Sequence, residues 1–280
     1  GWATLPENYQ NYLQHCKSPL LDNQKASDTI EEFLCGEIHA KSDYRVFKAS
    51  EQLQLPFTEN FSESQVGEPF EQFEFDGKRY SRSSLNYLLG LNFIKQNIKD
   101  VPVKTVLEIG GGFGSLGEIL LQDERNESLY INVDIPPTCL FSSYYLKEVF
   151  GSDNIADYSK LRHHESLNIC GLREQYRAAV LCPWQLPKLT GKVDLFINFI
   201  SFQEMEPKIV QNYLDQVSRL KSKYVLLRNL REGKQVAKDD SQVGVKKPII
   251  AEDYDRFLPD YELKMTNVYP FGFATIDNFK

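Results

Sequence analysis

The chain has 280 residues, 41% of them hydrophobic, with 25% charged and a formal net charge of −7. That is enough apolar material for one large domain or a domain with an extension, and too ordinary a composition for gross disorder. The acidic balance argues against duplex nucleic acid as a partner. Cys16, Cys35, Cys139, Cys170 and Cys182 form no C-x-x-C pair, so neither a zinc site nor a disulfide framework is expected. Reduced thiols in a cytoplasmic protein fit better. No metal site is expected. No apolar run reaches membrane-spanning length.

Residues 1–100 read as a helical N-terminal extension, with helical stretches at 26–35 and 83–99. The second carries Leu85, Leu88, Leu89 and Phe93 at near-helical spacing, with Ser81, Ser83 or Ser84 as N-cap. Val101-Pro102 breaks it. Residues 101–280 then alternate. Buried strands are expected at KTVLEI, LYINVDIP, RAAVLCPW, KVDLFINFIS and KYVLLRNL, a Gly-rich turn running into a helix at GGGFGSLGEILLQ, and helices at PPTCLFSSYYLKEVFG and PKIVQNYLDQVSRL. YELKMTNVY and FATIDNF read as two closing strands. The pattern predicts an α/β fold with a largely parallel sheet and helices on both faces.

The segment VLEIGGGFGSLGEIL carries the most information. Glycines between a strand and a helix let a ligand approach the backbone, next to free N–H groups at the helix start. Gly112, Gly114 and Gly117 spell the dinucleotide fingerprint G-x-G-x-x-G, with Asp134 placed for a ribose. Glu108, Gly110, Gly112 and Gly114 equally spell Glu-x-Gly-x-Gly-x-Gly. A carboxylate two residues before the first glycine suits a ligand with a cation near the turn and disfavours a pyrophosphate. An NAD(P)-dependent oxidoreductase is therefore the alternative enzyme, and a non-catalytic binding domain the alternative to an enzyme.

VLEIGGGFGSLGEIL, INVDIPPTCLFSSYYL and INFISFQEMEPKIVQNYL together resemble the sugar O-methyltransferase family of bacterial surface-polysaccharide clusters. The likeness runs over roughly 65–280 and takes in DGKRYSRSSLNYLLGLNFI and VGVKKPIIAEDYDRFLPDYEL. It implies a Rossmann-like, seven-stranded class I methyltransferase sheet, S-adenosyl-L-methionine as cofactor, and a glycan or sugar-nucleotide acceptor. It also implies a cofactor set: Glu108, Gly110, Gly111, Gly112 and Gly114 at the turn, Asp134 on the ribose, Ile135, Cys182 and Trp184 by the adenine, and Asn198 after the fourth strand. A start at Gly1-Trp2 rather than Met is compatible with excision from a longer polysaccharide-synthesis protein, whose other domains would then be partners.

On the acceptor side a general base should help a weakly nucleophilic hydroxyl. Glu204 is the first candidate, just past the fourth strand, with Ser201 and Gln203 as orienting groups. His163 and His164 are the next. Tyr80 and Arg82 are candidate lid residues. Residues 219–247 hold nine Lys or Arg against three acids, a net of +6. Arg228, Asn229 and Arg231 there are candidate contacts to an anionic acceptor.

Overall fold

The computed structural model describes residues 36–237 and 244–267. Among the described residues four elements precede the glycine turn: helix α1 (Glu37–Ser50), strands β1 (Phe73–Phe75) and β2 (Lys78–Tyr80), and helix α2 (Arg82–Asn97). Asp76 and Gly77 both adopt positive φ, 51° and 73°, in the two-residue turn whose twist suits a hairpin. Among the candidate caps, Ser81 closes α2. Its hydroxyl accepts from Ser84 N–H at 3.1 Å, and Ser81 N–H donates back to Ser84 Oγ at 3.0 Å.

The alternating region follows as β3 (Thr105–Ile109), α3 (Ser115–Gln122), β4 (Leu129–Val133), α4 (Pro136–Phe150), β5 (Ile155–Ala156), α5 (Tyr158–Leu161), β6 (Leu167–Asn168), α6 (Ile169–Gln175), β7 (Ala178–Leu181), β8 (Leu189–Thr190), β9 (Leu195–Phe199), α7 (Pro207–Arg219), β10 (Tyr224–Arg228) and α8 (Asp253–Phe257). The main sheet has six strands in the order β10-β9-β3-β4-β7-β5, all paired in parallel. Every residue of β3, β4, β7 and β9 is buried, as a sheet covered on both faces requires.

The register shows which helices cover which face. Leu195, Val106, Tyr130 and Ala178 lie in one row across four strands and share a core with α1, α2, α3 and α4. The next row, Phe196, Leu107, Ile131 and Ala179, points the other way and packs with α5, α6, α7 and α8. The N-terminal helices are thus part of one apolar layer with the sheet.

Among the described residues the main sheet has six strands; 261–267, read as part of a closing strand, forms none there, and Leu263 in it is exposed. FATIDNF and the 26–35 stretch lie outside the described residues. The extension is helical with a hairpin set between its helices. Strands β5, β6 and β8, two residues each, are too short for a period-2 signal.

From β3 the chain moves to β4, out to the edge at β5, and back to β7 between them, then lays β9 and β10 on the other side of β3. That reversal leaves a crevice outside the carboxyl ends of β3 and β9, where ligands of open α/β sheets bind.

Candidate cofactor and acceptor site

The turn between β3 and α3 runs through positive φ at Gly110, Gly112 and Gly114, at 74°, 57° and 91°. Gly112 has open space where a side chain would stand. Its N–H donates to Asp134 Oδ2 at 2.9 Å, while Ile135 N–H donates to Asp134 Oδ1 at 2.7 Å. The Asp134 carboxylate therefore spans the gap from the end of β4 to the glycine turn. Burial raises its pKa, and the two backbone donors oppose that shift. Ile135 follows Asp134 at the end of β4 and Trp184 lies just past the end of the neighbouring strand β7, each more than half exposed. Trp184 meets Tyr158 edge to face at 6.0 Å. Cys182 is buried beside Cys139, so it fills space and Trp184 supplies the free surface.

Glu108 lies underneath the turn and is fully buried. Its Oε2 accepts from the Tyr130 hydroxyl at 2.5 Å and its Oε1 from the Tyr87 hydroxyl at 2.7 Å. Burial pushes its carboxyl up to about 7, against the pull of the two phenols, with the Asp134 charge adding to the rise. Gly117 explains how Tyr130 gets there: a side chain at 117 would overlap the Tyr130 ring. The last glycine of the fingerprint thus opens the space through which β4 reaches Glu108. Gly111 covers the carboxylate, since a side chain there would strike Glu108 Oε2 and Asn132 Oδ1.

The far wall of the crevice is an interlocked set of amides. Asn198 is fully buried. Its amide donates to Ile109 C=O at 2.8 Å and to Ser201 Oγ at 2.6 Å. Its carbonyl oxygen accepts from the Asn229 amide at 3.1 Å. Ser201 Oγ donates to Ile109 C=O at 3.1 Å. Asn229 Oδ1 accepts from Gln203 N–H at 3.2 Å, and Gln203 Oε1 from Leu230 N–H at 2.7 Å. Ser201, Gln203 and Asn229 were expected to face the acceptor; here their polar atoms join the ends of β3, β9 and β10 instead. Arg228 turns back to Asn86 C=O at 2.9 Å and lies over the Phe199 ring at 5.8 Å.

Glu204 ends the 3-10 turn Ser201–Glu204. It is exposed and pairs with Lys234 at 2.9 Å. His163 and His164 follow α5, next to the outermost strand β5, and Lys188 Nζ donates to His164 C=O at 3.0 Å. Four strand spacings separate β5 from β9, about 19 Å at ~4.8 Å per strand. The structure therefore does not bring the histidines together with Glu204.

The two candidate lid residues lie in the N-terminal extension. Tyr80 is 2% exposed and packs among Tyr44, Phe47, Phe61 and Phe75 in an aromatic cluster. Arg82 begins α2 beside Gly36 and Glu71, within the extension. The basic stretch is also mostly engaged. Arg219 donates to Leu186 and Leu189 carbonyls and Lys234 pairs with Glu204. Arg231 stands 3.7 Å from Glu252 and is largely exposed. Residues 238–243 lie outside the described residues.

Two site residues had no clear signal in the sequence. Tyr87 belongs to a helix read only for its apolar spacing. Ile200 follows β9 at φ 72°, ψ −37°, a backbone state that costs a β-branched residue on the order of 1–3 kcal/mol and is found chiefly at functional sites. Its N–H donates to Arg228 C=O at 2.8 Å, and its side chain is 46% exposed at the crevice. Among the described residues no group of His, Cys, Asp and Glu could hold a metal. None of their helices is long and apolar enough to cross a membrane.

The strand order and its switch point define an open, doubly wound α/β fold. No protein-family model matches the chain, and no curated protein matches it either. Among solved structures, it is similar to the mitomycin 7-O-methyltransferase MmcR at 13% identity, over 63% of this chain and 50% of that one, with a TM-score of 0.39. It is similar to the pyocyanin biosynthetic protein PhzM at 10% identity, over 64% and 51%, with a TM-score of 0.35. The N-terminal domain of EvdMO1, with SAH bound, matches at 10% identity over 79% and 86%, with a TM-score of 0.37. The chain spans about half the length of the first two proteins.

Proposed function

We propose that the chain is an S-adenosylmethionine-dependent O-methyltransferase acting on a sugar hydroxyl in the synthesis of a bacterial surface polysaccharide, in the cytoplasm. The observation that supports the cofactor best is the Asp134 carboxylate, tied to Gly112 N–H at 2.9 Å at the switch point. It presents an acceptor for a ribose beside an open glycine backbone. The residues fit the rest of the group as well. Exposed Ile135 and Trp184 offer apolar faces for an adenine. Glu108 is a buried carboxylate whose hydrogen-bonding partners are neutral phenols, which favours a cation above it and disfavours a pyrophosphate.

Bound S-adenosylmethionine would supply an electrophilic methyl group. The protein's part is positioning. Asp134 would hold the ribose end, the Gly110–Gly114 turn would admit the amino-acid end, and the Asn198–Ser201–Asn229 network would form the floor at β9. Glu204 is assigned as the base that takes the hydroxyl proton, from the carboxyl end of β9. The sugar acceptor rests on the resemblance of the Asp-Ile-Pro-Pro and Ser-Phe-Gln-Glu-Met segments.

The test is calorimetry with S-adenosylhomocysteine and with NAD. Micromolar or tighter binding of the first, about −8 kcal/mol or better, is expected. Binding of NAD without S-adenosylhomocysteine would replace this function with an oxidoreductase, and binding of neither would leave a non-catalytic domain. Methyl transfer from labelled cofactor to a panel of sugar nucleotides and glycans tests the acceptor.

A further inference from the structure

We propose that Tyr87 is a positioning residue for the cationic end of the cofactor, holding the Glu108 carboxylate beneath the glycine turn and so coupling the seating of α2 to cofactor binding. This rests on the assignment of S-adenosylmethionine to that turn.

Glu108 is anchored from two sides. Tyr130 comes from β4, inside the sheet. Tyr87 comes from α2, in the extension that precedes the alternating fold. The Tyr87 ring is fixed by stacking on Phe199, with centroids 4.9 Å apart and planes at 10°. That stack needs α2 close to the end of β9, and Gly90 permits it: a side chain at 90 would overlap the Phe199 ring. Arg228 lies over the same Phe199 ring and bonds Asn86 C=O at 2.9 Å. Asn86, Tyr87 and Gly90 thus fasten one stretch of α2 to the ends of β9 and β10.

The groups around Glu108 make its state sensitive to a ligand. Tyr87 and Tyr130 donate to it, and the charge acting on it is that of Asp134, of like sign. Arg228 acts on the Tyr87 phenol. Asn132, fully buried, has an Oδ1 with no hydrogen-bond partner, and that atom converges with Glu108 Oε2 beneath Gly111. A phenol donates to the carboxylate without supplying a counter-charge, so a cation at the turn beside Gly111 is what would complete its ionisation. Burial and Asp134 push its carboxyl to about 7, so a bound cation favours ionisation and cofactor affinity rises as pH climbs through that range. Removing the Tyr87 donor takes away a bond to the ionised form, which moves the midpoint to higher pH.

Calorimetric titration with S-adenosylhomocysteine from pH 6 to 9 tests this on the parent, Tyr87→Phe and Tyr87→Leu, with the melting temperature of each protein without ligand. Tyr87→Phe keeps the stack on Phe199 and loses only the donor. It should bind about tenfold more weakly near neutral pH, the factor set by one hydrogen bond to a charged group. Its affinity midpoint should lie about one pH unit higher. Tyr87→Leu should show the same shift together with a lower melting temperature. Parental affinity and midpoint in Tyr87→Phe, whether or not its melting temperature falls, would overturn the role of Tyr87 and leave the cofactor assignment intact. If the parent fails to bind at every pH, the cofactor assignment falls and this role with it.

Discussion

Asp134 and Gly112 are joined by a hydrogen bond from backbone to carboxylate, 2.9 Å long, across 22 residues of chain. It ties the end of β4 to the turn after β3. The side chain does two jobs at once: it holds the turn's shape and offers an acceptor at the crevice. Asp134→Ala removes both. Cofactor affinity should fall at least tenfold, since hydrogen bonds to a charged group are worth roughly 1.5–3 kcal/mol. Asp134→Asn keeps an acceptor for Gly112 N–H and should lose less. Calorimetry on both variants checks this, and equal parental affinity in both would reduce Asp134 to a turn residue.

Glu204 stands in an ion pair with Lys234 at 2.9 Å, on an exposed surface. Exposed pairs contribute ~0–1 kcal/mol to stability, so Glu204→Gln should melt close to the parent. If Glu204 takes the acceptor proton, turnover should drop about 10²-fold or more at unchanged cofactor affinity. Parental turnover in Glu204→Gln would reject it as the base. His163 and His164, near the opposite edge of the sheet, would need a different acceptor position to replace it.

Glu108 links stability to pH with a definite sign. Its folded pKa, about 7, lies above the ordinary glutamate value. The folded state therefore holds a proton that the unfolded chain has already released. This contribution is complete below about pH 4.3 and is lost as pH rises toward and through 7. Glu108→Gln, which cannot titrate, should show a flatter decline of melting temperature between about pH 5 and 7.5. An unchanged slope would mean that Glu108 ionises normally.

Gly90 sits where the Phe199 ring crosses α2. Gly90→Ala gains helix propensity, ~1 kcal/mol, but overpacks a buried contact, typically ~1–3 kcal/mol. The clash is with a ring held between Tyr87 and Arg228, so it has little room to give. Net destabilisation is expected, read as a lower denaturation midpoint in urea. A stabilised Gly90→Ala would show that α2 can shift outward without cost.

The parts of this protein legible in its sequence are those governed by local rules. VLEI, LYINV, AAVL and LFINF are short apolar runs bounded by turn residues, and all four are buried strands. Period-3.6 spacing with Pro207 at its start marks α7. Glycines between a strand and a helix mark the turn, because only a few backbone states connect those elements there. The place of Asp134 at a strand end, beside the glycine turn, follows from the same local pattern.

What only the tertiary structure decided is which polar side chains spend their hydrogen bonds on the protein itself. Ser201, Gln203, Asn229 and Arg228 look from sequence like acceptor contacts, yet each bonds across to another strand end or to α2. Tyr80 sits beside polar residues in sequence and inside an aromatic cluster in space. Tyr87 reads as one more apolar position on a helix, yet packing brings its hydroxyl to Glu108, 21 residues away in sequence. The physical reason is common to all of them. A buried polar group must find a partner, and that partner is chosen by the distances that the folded sheet creates, which no local pattern encodes.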